Sequence, residues 1–315
     1  MKITAITSGR PNQISDKMAR IALKGAQESG AEIQLINLMK LDIKPCINCG
    51  KCVRKMRDVN FQGHCPLEND DMLWLDDQML SSDGIIFIAP MFEAMTPGIY
   101  RVLCDRIGPS HDVTFLKQAY DDRISKGIDP QIDIRFFDRK AAAFIGHGGS
   151  EWSYMGYPTL ASPAVSMGMD IVDYIQIEWN NDWVVNEEKK ERVRQLGKNI
   201  AEAAMVPSGQ RVYRGVDGAC PVCHCNVFRL DMIGDSATCT LCGIIGRPVL
   251  ENGKWKLEVD NKEIVHSHIY ESGRKKHMDD LKRNAIVRAG IDQDAVSREF
   301  EPLKEEIPLL YPRSN

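Results

Sequence analysis

The residues best equipped for chemistry are cysteines. Residues 46–52 read CINCGKC, and Cys46, Cys49 and Cys52 are followed by Cys65 in GHCPLENDDM. Four thiolates grouped as CxxCxxC plus one distal Cys suit a [4Fe–4S] cluster, because the two-residue spacing lets consecutive sulfurs converge on the corners of one cube. Four thiolates would equally satisfy a zinc ion, and metal-free thiols are a third reading. Cys220, Cys223, Cys239 and Cys242 form a second group with the spacing C-x2-C-x15-C-x2-C of a tetrahedral zinc ribbon. A rubredoxin-like iron would take the same sulfurs; His224 follows the first knuckle where Gly is usual, which favours structural zinc. Cys225 is a spare thiol beside that knuckle.

Three polar loops are the other chemical candidates. TSGRPNQIS (7–15) leads into a helix-like stretch and carries Ser8, Arg10, Asn12 and Ser15. Hydroxyls, a guanidinium and free N–H groups at a helix N-terminus are what a phosphate needs. The loop is not GxGxxG, so a dinucleotide fingerprint is absent. APMFEAMTPG (89–98) stops a strand at Pro90 and offers backbone groups beside Met91 and Phe92. GHGGS (146–150) has glycines that let a planar ligand approach the backbone.

The elements that must position these groups are legible from apolar patterning. Short runs rich in Ile, Val and Phe occupy residues 2–7, 32–38, 84–90, 141–146 and 170–177, with helix-like stretches between them. Nearly continuous apolar strands separated by helices predict a parallel sheet covered on both faces. The expected fold is α/β: a flavodoxin-like, doubly wound, five-stranded parallel sheet over residues 1–208. A zinc ribbon is expected at 209–262 and a charged helical tail with a C-terminal arm at 263–315. Ligands are expected at the carboxyl ends of the strands, where all three polar loops fall. GRPVLENGKWKLEVD reads as a hairpin turning at Asn252-Gly253 within the ribbon. Residues 105–140 are too long for an ordinary crossover loop and suggest a lid or binding segment. EPLKEEIPLLYPRSN suggests an extended arm whose Leu309, Leu310 and Tyr311 could dock on another subunit.

Taken in order, TSGRPNQIS, LINLMKLDIKPCINCGKC, GHCPLENDDM, IAPMFEAMTPGIYRVLCDRI and FIGHGGS resemble the NADPH-dependent FMN reductase family of flavodoxin-fold proteins, in particular its iron–sulfur flavoprotein branch. The resemblance covers residues 1–205. It implies noncovalent FMN and a homodimer or homotetramer with the flavin near a subunit interface. Carried over by position, Ser8, Arg10, Asn12 and Ser15 would hold the FMN phosphate. Pro90, Met91, Phe92, Glu93, Ala94, Met95 and Thr96 would line the ribityl chain and one edge of the isoalloxazine; Gly146, His147, Gly148 and Gly149 would line the other. The resemblance also implies a [4Fe–4S] cluster on Cys46, Cys49, Cys52 and Cys65. The chain departs from the pattern at Gly9 and Ile14, where the usual phosphate loop has Pro and Asn, and in a longer gap before Cys65.

A flavin takes a hydride as two electrons and can release them singly, whereas a [4Fe–4S] centre handles one at a time. The expectation is therefore an FMN-dependent oxidoreductase that passes electrons from NAD(P)H or a ferredoxin-type donor to an acceptor, a small molecule or ferredoxin. His147 and His111 are candidate proton donors to a reduced substrate, histidine having a reference pKa near neutrality. One alternative is a reductase of a quinone, nitro or unsaturated organic substrate without a redox-active cluster. Another is a zinc-ribbon interaction protein that senses redox state. A net charge of −4 with no basic stripe in the ribbon gives no reason to expect nucleic-acid binding. No run of 18 apolar residues suggests a membrane span, and closely paired cysteines fit a reducing, cytoplasmic setting.

Overall fold

The computed structural model describes residues 1–55, 58–108, 110–183 and 185–308. Leu309, Leu310 and Tyr311 lie outside them. Met1–Arg274 form one compact unit and Lys275 onward a second.

The chain opens with β1 (Lys2–Thr7), α1 (Ile14–Glu28) and β2 (Glu32–Asn37), followed by α2 (Lys51–Lys55), α3 (Met72–Leu80) and β3 (Gly84–Pro90). It continues through α4 (Gly98–Ile107), α5 (Val113–Ser125), β4 (Ala141–His147), α6 (Gly156–Ser166), β5 (Asp170–Ile177) and α7 (Glu187–Ala204). The five strands pair in parallel in the order β2-β1-β3-β4-β5, the doubly wound order of flavodoxin-like proteins. The central strands are buried on both faces, which is why they read as unbroken apolar runs. Met18, Leu23, Val193, Leu196 and Ile200 of α1 and α7 cover one face. Leu75, Met79, Tyr100, Leu103 and Leu160 of α3, α4 and α6 cover the other.

α1 and α7 touch through glycines. A Cβ added at Gly197 would lie 1.7 Å from the carbonyl oxygen of Ala22, and one at Gly25 would lie 2.1 Å from that of Arg194. β5 is an edge strand, and the chain that leaves α7 returns along it: Arg214 N–H donates to the Val172 carbonyl at 2.7 Å. That segment caps the open edge. Asp173 is fully buried there, accepting from Arg192 at 2.9 Å and from the Asn199 amide at 2.7 Å.

α5 and α6 are the longer helices of the α/β domain that escaped sequence reasoning. α6 (GYPTLASPAVS) contains two prolines, yet Pro158 lies in its first turn, where no intrahelical donor is needed. Pro163 leaves the Thr159 carbonyl without its helical donor, and the Ser162 hydroxyl supplies one at 3.2 Å. α5 lies in the segment 105–140: Asp112 caps it by accepting from Thr114 and Phe115 N–H groups.

The ribbon is an antiparallel sheet of β6 (Phe228–Leu230), β7 (Ala237–Cys239), β8 (Ile245–Glu251) and β9 (Lys254–Glu258). Its last hairpin turns at Asn252 (φ 52°) and Gly253 (φ 74°), the expected type I′ geometry. The ribbon belongs to the first compact unit, because its cysteines, Leu241, Ile244 and Leu257 share one apolar cluster with the α4 and α6 side of the sheet. After α8 (Asn261–Ile264) come α9 (Glu271–Ala289) and α10 (Gln293–Glu306). EPLKEE, expected in an extended arm, is helical within α10. Among the described residues no helix is long and apolar enough to cross a membrane.

The glycine contact makes a sharp prediction. Gly197→Ala forces α1 and α7 apart and lowers stability by about 1–3 kcal/mol, the usual range for overpacking, measured by urea unfolding. An exposed control, Gly209→Ala, tests only the positive φ at that loop position and keeps the helix contact.

Candidate functional site

The first loop is built around a carboxylate that sequence reasoning passed over. Asp16, buried in the first turn of α1, accepts from the Thr7 hydroxyl at 2.6 Å, the Asn12 N–H at 2.6 Å and the Asn37 amide at 2.8 Å. Asn37 also donates to the Gly9 carbonyl at 3.1 Å. These bonds fold residues 8–13 into a tight cradle and hold Asn12 in the left-handed region at φ 61°. An acid just after a Ser at a helix start was the available signal. A Cβ at Gly9 would meet Ser15 Oγ at 2.2 Å, so no larger residue fits the loop. Gln13, at the N-cap of α1, makes no side-chain hydrogen bond to the first turn, which leaves amide donors for an anion. Ser8 and Ser15 are buried at this cradle, while Arg10 and Asn12 are exposed at its rim. The donor set fits a phosphate.

The loop after β3 is strained. Phe92 and Met95 exchange backbone hydrogen bonds of 2.8 and 3.0 Å across Glu93 and Ala94, both left-handed at φ 48° and 67°. Such a type I′ turn normally takes Asn or Gly. Non-glycine residues there cost about 1 kcal/mol or more each and persist only when neighbours enforce them. Met155 N–H donates to the Ala94 carbonyl at 3.2 Å, and Thr96 N–H to the Thr159 hydroxyl at 3.3 Å. The turn is thereby clamped to α6 and its entry.

His147 joins the loops. Its carbonyl accepts from Met91 N–H at 2.8 Å, its Nε2 lies 2.8 Å from Ser15 Oγ, and its Nδ1 lies 2.9 Å from the amide nitrogen of Asn180. With that amide donating to Nδ1, the ring proton sits on Nε2 and donates to Ser15, which frees the serine hydroxyl hydrogen to face the cradle. Burial pushes the His147 pKa down to about 4, so the ring is neutral near pH 7. Gly148 and Gly149 continue the loop, and Gly149 has open space where a Cβ would stand. Phe92, Trp152, Tyr154 and Trp179 are each more than half exposed on the loops after β3, β4 and β5. Those loops are stitched by the Ser153 hydroxyl to Glu178 at 2.8 Å and by Asn180 N–H to the Gly148 carbonyl at 3.1 Å.

His111 is not brought to this place. It is fully buried, with Nδ1 2.8 Å from Ser110 Oγ and Nε2 3.1 Å from Asp76, an ion-pair distance not aligned as a hydrogen bond. It lines a small cavity with Leu80, Lys140 and Met169, which enter β3, β4 and β5. Those are the opposite strand ends, so His111 has no access to the polar loops. Asp76 also holds His64 at 3.2 Å, tying the segment around Cys65 to α3.

The ribbon cysteines meet. Cys220 and Cys242 sulfurs are 3.6 Å apart, Cys223 and Cys239 sulfurs 3.5 Å, and all four lie within 4.8 Å of one another, buried. A tetrahedron of 2.3 Å metal–sulfur bonds places its sulfurs about 3.8 Å apart, so the set fits one ion. Cys225 stands outside the group and accepts from Val227 N–H at 3.4 Å. His224 adopts φ 58°, the conformation glycine would supply, and is held by ring stacking on Tyr213 at 3.7 Å and by Asp217 at 3.2 Å. Among the described residues Cys46, Cys49, Cys52 and Cys65 do not form so tight a group. They remain neighbours: burial, then the charges of Cys65, Cys46 and Cys49, push the Cys52 thiol up. A cube, which binds each thiolate to a different iron, needs wider spacing than a single ion. Arg106, buried, donates to Cys65 Sγ at 3.2 Å and to the Lys44 carbonyl at 2.8 Å while pairing with Asp70.

The sequence pattern of the family described as NADPH-dependent FMN reductase matches residues 1–183. A flavone synthase of Aspergillus candidus is 27% identical over 334 residues, covering 98% of this chain and 96% of that protein. A solved structure of a flavone reductase is 29% identical with a TM-score of 0.85, covering 99% of this chain and all of that one. An iron-sulfur flavoprotein of Methanosarcina thermophila is 36% identical over 107 residues, 34% of this chain and 52% of that protein.

The His147 geometry sets a pH dependence. A folded-state pKa of about 4 against 6.5 unfolded means its stabilising contribution is complete above pH 6.5 and is lost as pH falls from 6.5 towards 4. His147→Gln is expected to flatten the unfolding free energy across that window; an unchanged slope would show that another group governs it.

Proposed function

Since the chain belongs to the NADPH-dependent FMN reductase family and is a flavin oxidoreductase, we propose that it uses NADPH to reduce the carbon–carbon double bond conjugated to the ketone of a flavone-type substrate. The observation that carries this reading is the length of the match. Similarity to a flavone reductase and to a flavone synthase runs through the ribbon and the tail, whereas similarity to the iron-sulfur flavoprotein stops at about a third of the chain. The aromatic rim of Phe92, Trp152, Tyr154 and Trp179 supports it, because exposed rings beside the polar loops offer faces on which a planar substrate can stack.

The flavin bed is assigned to the three strand-end loops. Ser8, Ser15 and the first turn of α1 hold the phosphate, with Arg10 and Asn12 at its rim; residues 90–96 and 146–149 flank the ring. The chemistry supplied by bound FMN is hydride exchange between a nicotinamide and an electron-poor double bond. His147 is assigned a positioning role: neutral and buried, it aims the Ser15 hydroxyl and ties three loops together. It is no proton donor near pH 7, so the proton that completes reduction of the double bond comes from another group or from solvent.

Cys46, Cys49, Cys52 and Cys65 are assigned to a [4Fe–4S] cluster, supported by the ligand pattern and by Arg106, whose N–H offers a hydrogen bond of the kind that tunes cluster sulfurs. Cys220, Cys223, Cys239 and Cys242 are assigned to structural zinc, and the active form to a homo-oligomer. The ribbon at 209–262 is assigned as a module that completes the core of the α/β domain.

Purified anaerobically and supplied with NADPH, the protein is expected to consume flavone at least tenfold faster than menadione or a nitroarene at equal concentration, followed by loss of flavone absorbance and mass analysis of a product two hydrogens heavier. Turnover of the quinone alone would sink the substrate assignment and leave a quinone reductase in its place. Metal analysis of the same preparation is expected to give about four iron and one zinc per chain. Zinc without iron, after anaerobic reconstitution, would leave the first cysteine group without a cluster.

A further inference from the structure

The last two helices bury almost nothing. Beyond Met278 every described residue is exposed, through the rest of α9 and all of α10. α9 begins firmly, since the buried Arg274 in its first turn donates to the Ile269 carbonyl at 2.8 Å and to the Thr114 hydroxyl at 3.2 Å. Only a short turn through Gly290 separates α9 from α10, yet the two do not pack along one another. A 14-residue helix such as α10 is marginal in water unless an apolar face is packed, so these helices call for a partner.

α10 carries the face that such a partner would cover. Val296, Phe300, Leu303 and Ile307 follow one another at intervals of four, three and four residues, which sets them in one stripe along the helix. All four are exposed, Phe300 to 51%. Leu281, Ile286 and Val287 of α9 are exposed as well.

Charge identifies the occupant. α9 holds six basic and three acidic residues, a net +3, and α10 holds two basic and five acidic, a net −3. Pairs within each helix, Lys282 with Asp279 at 3.7 Å and Lys304 with Glu301 at 2.6 Å, are exposed and worth little. A second copy of the chain offers the complement of both helices at once, whereas a foreign partner would have to match two opposite charges separately. Twofold symmetry then sets +3 against −3 twice.

We propose that α9 and α10 form a reciprocal interface with a second copy of this chain, the apolar stripe of α10 in one copy seating on α9 of the other. The inference rests on the assignment of the active form to a homo-oligomer and deepens it by naming the surface. That surface lies beyond residues 1–183, the stretch that the family pattern covers.

The test is sedimentation of the full-length protein over a range of concentrations at low ionic strength. Phe300→Glu with Leu303→Glu places two charges in the stripe and is expected to weaken association at least about tenfold. Lys282→Glu with Arg283→Glu reverses the charge of α9, and Glu301→Lys with Glu305→Lys reverses that of α10. Each pair by itself is expected to weaken association about fivefold, and an equimolar mixture of the two variant chains is expected to restore it, because both contacts then join unlike charges. All six positions are exposed, so melting of the variants is expected to match wild type and confirms folding. A wild-type chain that stays monomeric would overturn the homo-oligomer reading and this interface together. A wild-type oligomer that the stripe variant leaves unchanged would overturn the interface alone and place the contact elsewhere. A weakened stripe variant with no rescue in the mixture would overturn the pairing of α10 with α9 of a second copy.

Discussion

The site depends on one buried imidazole. His147 ends β4, and its three polar positions reach three different loops: the carbonyl to Met91, Nε2 to Ser15 and Nδ1 to Asn180. A parallel sheet gathers its carboxyl ends at one edge, but it does not by itself fix the loops that leave them. Here the ring does so, and burial keeps it neutral, so the join persists without a counter-ion. Positive potential at this cradle therefore comes from the helix N-terminus and from Arg10 rather than from histidine.

Two kinds of restraint surround that join. Asp16 folds the first loop from below by accepting from three donors, and the strained turn at Glu93 and Ala94 is clamped by α6. The ribbon adds a third restraint through Tyr157 and Tyr174, which it presses against the α6 side of the sheet. A module of short strands with few large apolar residues gains a core by sharing the domain's own, and four converging sulfurs give it rigidity once a metal binds. The first cysteine group is built differently. It lies on stretches of mixed exposure around the short α2, which holds Cys52, and is anchored by a buried arginine rather than by a sheet.

Much of the framework was legible because the signals were periodic. The apolar runs at 2–7, 84–90 and 170–177 coincide with β1, β3 and β5, and Asn252-Gly253 makes the hairpin turn that its residues demand. The elements that escaped were those whose local chemistry disguised them. α6 carries prolines that a serine hydroxyl makes tolerable, and Pro302 does not prevent α10 from running through EPLKEE. His111 looked like an acid beside a loop, yet it faces Asp76 at the wrong end of the sheet.

By itself the sequence determined the strands, their parallel arrangement and the group formed by Cys220, Cys223, Cys239 and Cys242, since these follow from burial on two faces and from ligand spacing, which are local properties. It also placed Ser8, Pro90 and Gly146 at strand ends, because a strand and the loop after it are continuous in the chain. Only the tertiary structure decided which groups cooperate. Asp16 with Asn37, His147 with Ser15 and Asn180, Arg106 with Cys65, and Tyr157 with Cys223 are contacts between residues 21 to 132 positions apart. Such pairs leave no periodic trace, and the protonation of His147 is set only once those contacts have closed.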